Sequence, residues 1–305
     1  MVSYTTSCEV SGCGIQLIGV ECDLSRGLPG LTIVGLPDAA VRESRERLRA
    51  AILNSGLEFP GNKRVTINLS PAGTKKAGTH LDLPMALGLL LWGREVRGTE
   101  GFVILGELSL DGRINPVKNA LAAAIGLRQN RVQNLMLPEG NLQETREVEG
   151  IHLYPVSSLA QAFDFFCGRQ KILPVRGKRP HWDTAVDFQE DFSDVKGRNE
   201  AKRAIEICAS GFHHLLMTGS PGCGKSMLAK RIVTVMPEMR YEEMLEVTKL
   251  RALAGGEERE NGLMRRRPFR SPGVGVSAPA MVGGRKRHPP PGRDHPGARR
   301  GSVSG

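Results

Sequence analysis

The first 167 residues alternate between short apolar runs and longer stretches with helical spacing. Leu31 to Val34 is an apolar run closed by Gly35-Leu36-Pro37. Asp38 then opens a helical pattern that reaches Leu53, with Val41, Leu48, Ile52 and Leu53 assigned to one apolar face and Arg and Glu to the other. Asn54-Ser55-Gly56 stops it. Arg64 to Leu69 alternates as a half-buried strand, and Leu81 to Leu91 reads as a buried helix. Phe102 to Leu105 and Arg113 to Val117 flank Asp111-Gly112, which predicts a hairpin. Lys118 to Gly126 is an Ala-rich helix. Leu135 to Leu137 and His152 to Val156 read as further strands, and Leu159 to Phe166 as a closing helix. The pattern predicts a mixed α+β domain over 1–167.

Residues 168–190 are polar and rich in turn formers, as in Gly168-Arg169-Gln170-Lys171 and Arg176-Gly177-Lys178-Arg179-Pro180, and read as a linker. A second domain then begins over 191–284: helix Arg198 to Ser210, strand His214 to Met217, a Gly-rich loop, and helix Lys225 to Val235. Strand, loop and helix in that order predict a parallel α/β sheet. Beyond Gly284 the patterning stops. Residues 285–305 hold only Ala298 and Val303 as aliphatic residues, among Arg, Pro, Gly and His, and read as a disordered basic tail.

Charge changes the picture only once it is located. The net charge is +10, but residues 1–260 balance to +1 and residues 261–305 carry +9. A basic tail suits nucleic-acid phosphates and equally suits a solvated end. Six cysteines in 305 residues are too few for a disulfide scaffold. Cys8, Cys13 and Cys22 lack a nearby His to complete a zinc set and read as ordinary thiols. The N-terminus has no basic stretch followed by an apolar core, and the longest apolar run, Leu83 to Trp92, is too short to span a bilayer. The expected compartment is the cytoplasm, with no membrane partner.

The chemistry sits in Gly219, Ser220, Pro221, Gly222, Cys223, Gly224, Lys225 and Ser226, which fit G-x-x-x-x-G-K-[ST], the P-loop of ATP-binding proteins. Glycines let consecutive backbone N–H groups turn inward around phosphates, and the following helix aims its positive end at the same point. Lys225 supplies a point charge to the β- and γ-phosphates, and the Ser226 hydroxyl is the expected Mg²⁺ ligand. Met227 lies just inside the helix and completes the predicted ATP-binding set. Hydrolysis also needs carboxylates, for Mg²⁺ and for the attacking water, normally at the end of an apolar strand. Downstream of Glu260 the only acid is Asp294, and Glu242-Glu243 and Glu257-Glu258 do not follow such a strand. No catalytic residue is identifiable, so the chain carries half of an ATPase site.

Several strings resemble the ComM/YifB branch of the magnesium-chelatase-like AAA+ family. They are Gly35-Leu36-Pro37-Asp38-Ala39-Ala40-Val41-Arg42-Glu43-Ser44, Asn68-Leu69-Ser70-Pro71-Ala72, and His80-Leu81-Asp82-Leu83-Pro84-Met85-Ala86-Leu87-Gly88. Gly106-Glu107-Leu108-Ser109-Leu110-Asp111-Gly112, the P-loop and Arg267-Pro268-Phe269-Arg270-Ser271-Pro272 continue the series. The resemblance covers about residues 1–284. It implies a Lon-protease and ribosomal S5 domain 2-like first domain, followed by the N-terminal part of an AAA+ P-loop domain. It also implies hexameric rings and ATP-driven, helicase-type DNA branch migration during natural transformation. A Lon-type Ser–Lys dyad is not expected, because no Ser stands near His80 and Leu121 falls where the Lys would be. The first domain is therefore expected to be a structural or interaction module. Two departures stand out. Gly273-Val274-Gly275 replaces the paired histidines of the family, and Arg285 to Gly305 replaces the strand with the hydrolytic carboxylates. A frameshift near codon 284 accounts for the second, as does a genuine short variant with a basic tail. On this reading the chain is an ATP-binding protein of the family, or else a nucleotide-binding remnant or interaction module without ATPase activity.

Overall fold

The computed structural model describes residues 2–11, 14–94, 98–182, 188–254, 262–273 and 275–277. The chain divides into two compact units, Met1–Arg179 and Pro180–Gly305.

In the first unit, β1 (Val2–Ser11) and β2 (Gly14–Ser25) form a long antiparallel pair with Val2 opposite Asp23. β3 (Gly30–Val34), α1 (Ala39–Asn54) and β4 (Arg64–Ser70) form a crossover, with β3 and β4 parallel. The sheet order is β1-β2-β4-β3. α2 (Asp82–Leu91) follows, then β5 (Phe102–Ile104), β6 (Glu107–Leu108), β7 (Ile114–Asn115) and α3 (Ala120–Gln129). β8 (Asn134–Pro138), α4 (Leu142–Thr145), β9 (His152–Val156), α5 (Leu159–Phe166) and β10 (Val175–Arg176) complete the unit. The second sheet runs β10-β9-β8-β5, parallel except for β10.

Local chemistry explains these elements. The Asp38 carboxylate accepts from Val41 N at 2.9 Å and caps α1. β4 alternates as expected, with Val65, Ile67 and Leu69 buried. Every residue of α2 is buried, including Pro84, which stands in the first turn where its missing N–H costs nothing. α2 packs against α1, α5, β1 and β2. Hydroxyls of β1 reach its backbone: Ser3 Oγ donates to Gly88 O at 2.6 Å and Thr5 Oγ1 to Pro84 O at 2.9 Å. Cys8 and Cys22 are buried thiols, pushed up to about 12 by desolvation.

Asp82, at the start of α2, has a fully buried side chain. It accepts from Ser44 Oγ, from Arg47 Nε at 2.8 Å and from Leu108 N at 3.3 Å. One carboxylate thus binds α1, α2 and β6. Glu9, on β1, is half-buried. Burial first, and the Asp38 carboxylate beside it, push its carboxyl up to about 7, while an Ala77 backbone hydrogen bond and Lys76 oppose the shift.

The structure corrects four readings. The turn at Asp111-Gly112 joins β6 to β7, whereas Phe102–Ile104 joins β8 in a parallel pair. An apolar run without alternation suits a strand buried on both faces. Gly106 separates the two roles; a Cβ there would come within 2.9 Å of Leu83 and Ile114. Leu53 is 51 % exposed, because it lies well off the stripe set by Leu48 and Ile52. Residues 168–179 fall in the first unit, not in a linker: Val175 and Arg176 pair with Leu153 and His152.

The fourth correction concerns the second unit, which comprises α6 (Asn199–Gly211), α7 (Lys225–Val235) and α8 (Tyr241–Leu253) with a 3-10 turn at Phe192–Asp194. Phe192, Val195, Ile205, Ala209, Leu228 and Ile232 form its core. The predicted strand His214 to Met217 has the alternation, with Leu215 and Met217 partly buried and Leu216 84 % exposed. A strand also needs a neighbour to exchange backbone hydrogen bonds, and no described segment pairs with it. Among the described residues the expected parallel sheet is therefore not formed. Cys13, Val274, Glu257-Glu258 and the basic tail lie outside the described residues.

Two outcomes test the first unit. Arg47→Met strands the buried Asp82 charge and lowers stability to urea by about 3–5 kcal/mol, whereas Arg47→Met/Asp82→Leu recovers most of it. Glu9 has a folded pKa above its unfolded one, so the folded state binds its proton more tightly. Its contribution is therefore lost as pH rises from about 4.5 to about 7. Glu9→Gln should be near neutral at pH 4 and stabilising by about 1–2 kcal/mol at pH 8, after discounting for partial exposure. Urea titrations at both pH values check this.

Candidate functional site

The loop Gly219 to Gly224 delivers the chain to the first turn of α7. Gly224 caps that helix at φ +93°, a left-handed conformation that side chains rarely adopt, and Gly222 turns the tip at φ +79°. A Cβ at either position would meet nothing, so backbone conformation and not crowding requires glycine there. α7 carries no acidic residue in its first turn, which leaves its positive end uncompensated by an internal carboxylate.

The Lys225 ammonium folds back over the loop. It donates to Gly219 O at 2.9 Å and Ser220 O at 3.0 Å, with Cys223 Sγ at 3.6 Å. Gly219, Ser220, Cys223 and Lys225 are thus drawn together around one cation. Pro221 and Gly222 form the exposed tip. Ser226 and Met227 are exposed on the first turn of α7, while Leu228, Ala229 and Ile232 seat the helix in the core.

A second set of contacts holds α7 from its far end. Arg231 donates through Nε to Asp191 O at 3.0 Å, and its Nη2 lies 3.3 Å from Asp194 Oδ2. Nη1 is 3.4 Å from Glu190 Oε2, and Phe192 N donates to Thr234 Oγ1 at 3.2 Å. Asp194-Val195-Lys196-Gly197 is therefore tied to the P-loop helix, with Val195 in the shared core. Nothing in the sequence marks Arg231 as the anchor, because its partners lie about 40 residues upstream.

The acid pair Glu242-Glu243 opens α8. Glu243 accepts from Arg240 N at 3.1 Å and from Arg267 Nη2 at 3.1 Å. Arg267 also donates to Pro237 O at 2.8 Å and Glu238 O at 3.3 Å. Glu243 thus caps a helix and holds a buried guanidinium. The Arg267-Pro268 string acts here as a packing anchor, a role that nothing in its sequence pattern announces.

In the first unit, Leu121 is buried in the helix where a dyad lysine would stand, and the Thr79 hydroxyl donates to Glu107 Oε2. No described helix is long and apolar enough to cross a membrane.

Two family models match the chain. Residues 20–141 match "Subunit ChlI of Mg-chelatase", and residues 191–301 match "Magnesium chelatase, subunit ChlI". The uncharacterized protein YifB of Escherichia coli is 39 % identical over 272 residues, 88 % of this chain and 52 % of that one. The competence protein ComM of Haemophilus influenzae is 35 % identical over 279 residues, 89 % of this chain and 54 % of that one. The chain spans about half the length of these relatives. A Lon protease of Mycolicibacterium smegmatis is 25 % identical over 150 residues, 47 % of this chain and 19 % of that one. With both family models and two relatives agreeing along most of its length, the chain belongs to the magnesium-chelatase-like family that includes YifB and ComM.

Proposed function

We propose that the second unit binds ATP with Mg²⁺ through the loop Gly219 to Ser226. One observation carries the reading: a loop turned by the left-handed Gly222 and Gly224 feeds an acid-free helix start with a lysine ammonium already lodged against the loop carbonyls. The residues fit the ligand. Backbone N–H groups of the loop and first turn would face the phosphates, and Lys225 would move from Gly219 O and Ser220 O to phosphate oxygens. The exposed Ser226 hydroxyl would hold Mg²⁺, with Met227 beside it. The bound cation would neutralise phosphate charge.

For the full-length protein we propose ATP-driven DNA remodelling of the branch-migration kind, in hexameric rings in the cytoplasm. The support is the family and the relative named a competence protein. On this reading the present chain binds nucleotide without turning it over, because Glu242-Glu243 open a helix, Glu243 being engaged with Arg240 and Arg267, and among the described residues of the second unit no acid follows a paired strand. The second reading, an interaction module independent of nucleotide, rests on the well-packed first unit.

Lys225→Ala should weaken binding of a fluorescent ATP analogue on the order of tenfold or more, and should abolish the rise in Tm that Mg–ATP gives the parent chain. Its Tm without nucleotide should be unchanged, since the ammonium and the carbonyls it bonds to lie on the surface. Equal binding by parent and variant would sink the assignment. Phosphate release by the parent chain should not exceed that of Lys225→Ala; turnover above that background would overturn the half-site reading.

A further inference from the structure

β3 is the outermost strand of its sheet. It pairs with β4 on one side, and no described strand lies on the other. Gly30 N donates to Lys63 O at 3.4 Å, in a parallel ladder that sets Gly30 opposite Arg64. Backbone groups alternate sides along a strand, so Gly30, Thr32 and Val34 address β4, while the N–H and C=O groups of Leu31 and Ile33 turn to the open edge. Burial thins out in the same direction. Leu31 and Ile33 stand in register with Val65 and Ile67 and pack on the same core. Val65 and Ile67 are fully buried there, but Leu31 and Ile33 only partly.

Open edges usually carry a device against pairing with another chain: a charge, a proline within the strand, a bulge, or extreme shortness. β10, at an edge of the second sheet, has two residues, and one of them is Arg176. β3 has no such device. Its ladder with β4 runs without a bulge, and its sequence Gly-Leu-Thr-Ile-Val holds neither charge nor proline. The eleven residues from Gly27 to Pro37 contain no charged side chain at all. Within them Leu28 is 90 % exposed, Leu36 55 % and Val34 39 %.

This strip is complementary to itself. A second copy, turned about a two-fold axis at Thr32, runs antiparallel and places its Ile33 opposite Leu31 and its Leu31 opposite Ile33. These are the residues whose backbone groups are open, and each such pair exchanges two N–H···O=C bonds. Thr32 meets its own counterpart in the close, non-hydrogen-bonded kind of pair, where threonines are good neighbours. Leu28 and Leu36 lie four residues to either side of Thr32. Each exposed leucine therefore comes to the end of the strip where the other copy brings the other leucine. Arg26 and Asp38 lie six residues to either side, so a guanidinium and a carboxylate meet at both ends. Asp38 spends one bond on Val41 N and keeps lone pairs for a further donor. An axis at Leu31 would set Arg26 against Leu36, and one at Ile33 would set Leu28 against Asp38. Only the axis at Thr32 matches charge with charge and leucine with leucine.

We propose that the β3 edge is a self-association surface, through which two copies of the chain join antiparallel about Thr32 and merge their four-stranded sheets into one. A contact of this kind uses the same patch on both copies and closes on itself, so it builds a pair and not a ring. It is separate from the P-loop and needs no nucleotide. The strip is short, so the pair is reversible, with a Kd on the order of 10–100 µM.

The test follows the full 305-residue chain by sedimentation equilibrium without nucleotide, from about 1 to about 300 µM, a span that brackets that Kd. The parent chain should pass from monomer to dimer. Thr32→Lys sets two ammonium groups across the axis at an exposed position, and should weaken the dimer about tenfold or more while leaving the Tm of the dilute chain unchanged. Thr32→Cys, oxidised at the upper concentrations, should give a dimer linked from position 32 to position 32, read by peptide mapping. The Cα atoms of a non-hydrogen-bonded pair stand about 4.5 Å apart, within reach of a disulfide. A parent chain that stays monomeric throughout, a dimer of parental strength in Thr32→Lys, or no link between the two positions 32 would overturn the proposal.

Discussion

Asp82 is the point on which the first unit turns. Its carboxylate has no access to water, and it lies at the start of a helix buried on every side. A charge in that position is tolerable only while its donors hold, and they come from three groups on two elements: Ser44 and Arg47 on α1 and the backbone of Leu108 on β6. The same arrangement fixes the register of α2 against α1. From there β1 follows, because its Ser3 and Thr5 hydroxyls address particular carbonyls of α2. Hydrophobic area drives the burial of α2, but the polar contacts decide which way round it lies.

The second unit is organised differently. Its small core places α7, and α7 places the P-loop. The loop is held at one end by the left-handed Gly224, and Lys225 bonds back to its carbonyls at the other. Arg231 ties the helix to Asp191 and Asp194, so the segment upstream of α6 is anchored to the P-loop helix. Rigid helix and yielding loop are the combination that anion capture requires, since the backbone N–H groups must turn toward the ligand without unseating the helix.

Much of this was legible in the chain. The Asp38 cap, the alternation of β4 and the apolar run of α2 are local signals, and local physics decides them. The P-loop was legible for the same reason: glycine at 222 and 224 is a demand of the backbone itself. What escaped was set by distant partners. Phe102 to Leu105 reads equally as a hairpin arm or a parallel strand until β8 arrives beside it. Leu215 and Met217 have the burial pattern of a strand, but pattern alone does not make a ladder. Arg231, Arg267 and Glu243 have the look of surface charges in the sequence, and only packing makes them anchors.

The position of α2 also sets an order on the ribosome. Its partners are spread from β1 at the start of the chain to α5 at 159–166. A nascent chain that has released only β1 to β4 presents Ile18, Val20, Ile67 and Leu69 with α1 as their one apolar partner and α2 still to come. When α2 emerges it covers that sheet, yet keeps a bare flank until α5 clears the exit tunnel some seventy residues later. Until then the growing chain carries an oily seam, and the interval in which a chaperone has something to hold is written into the distance between the two helices.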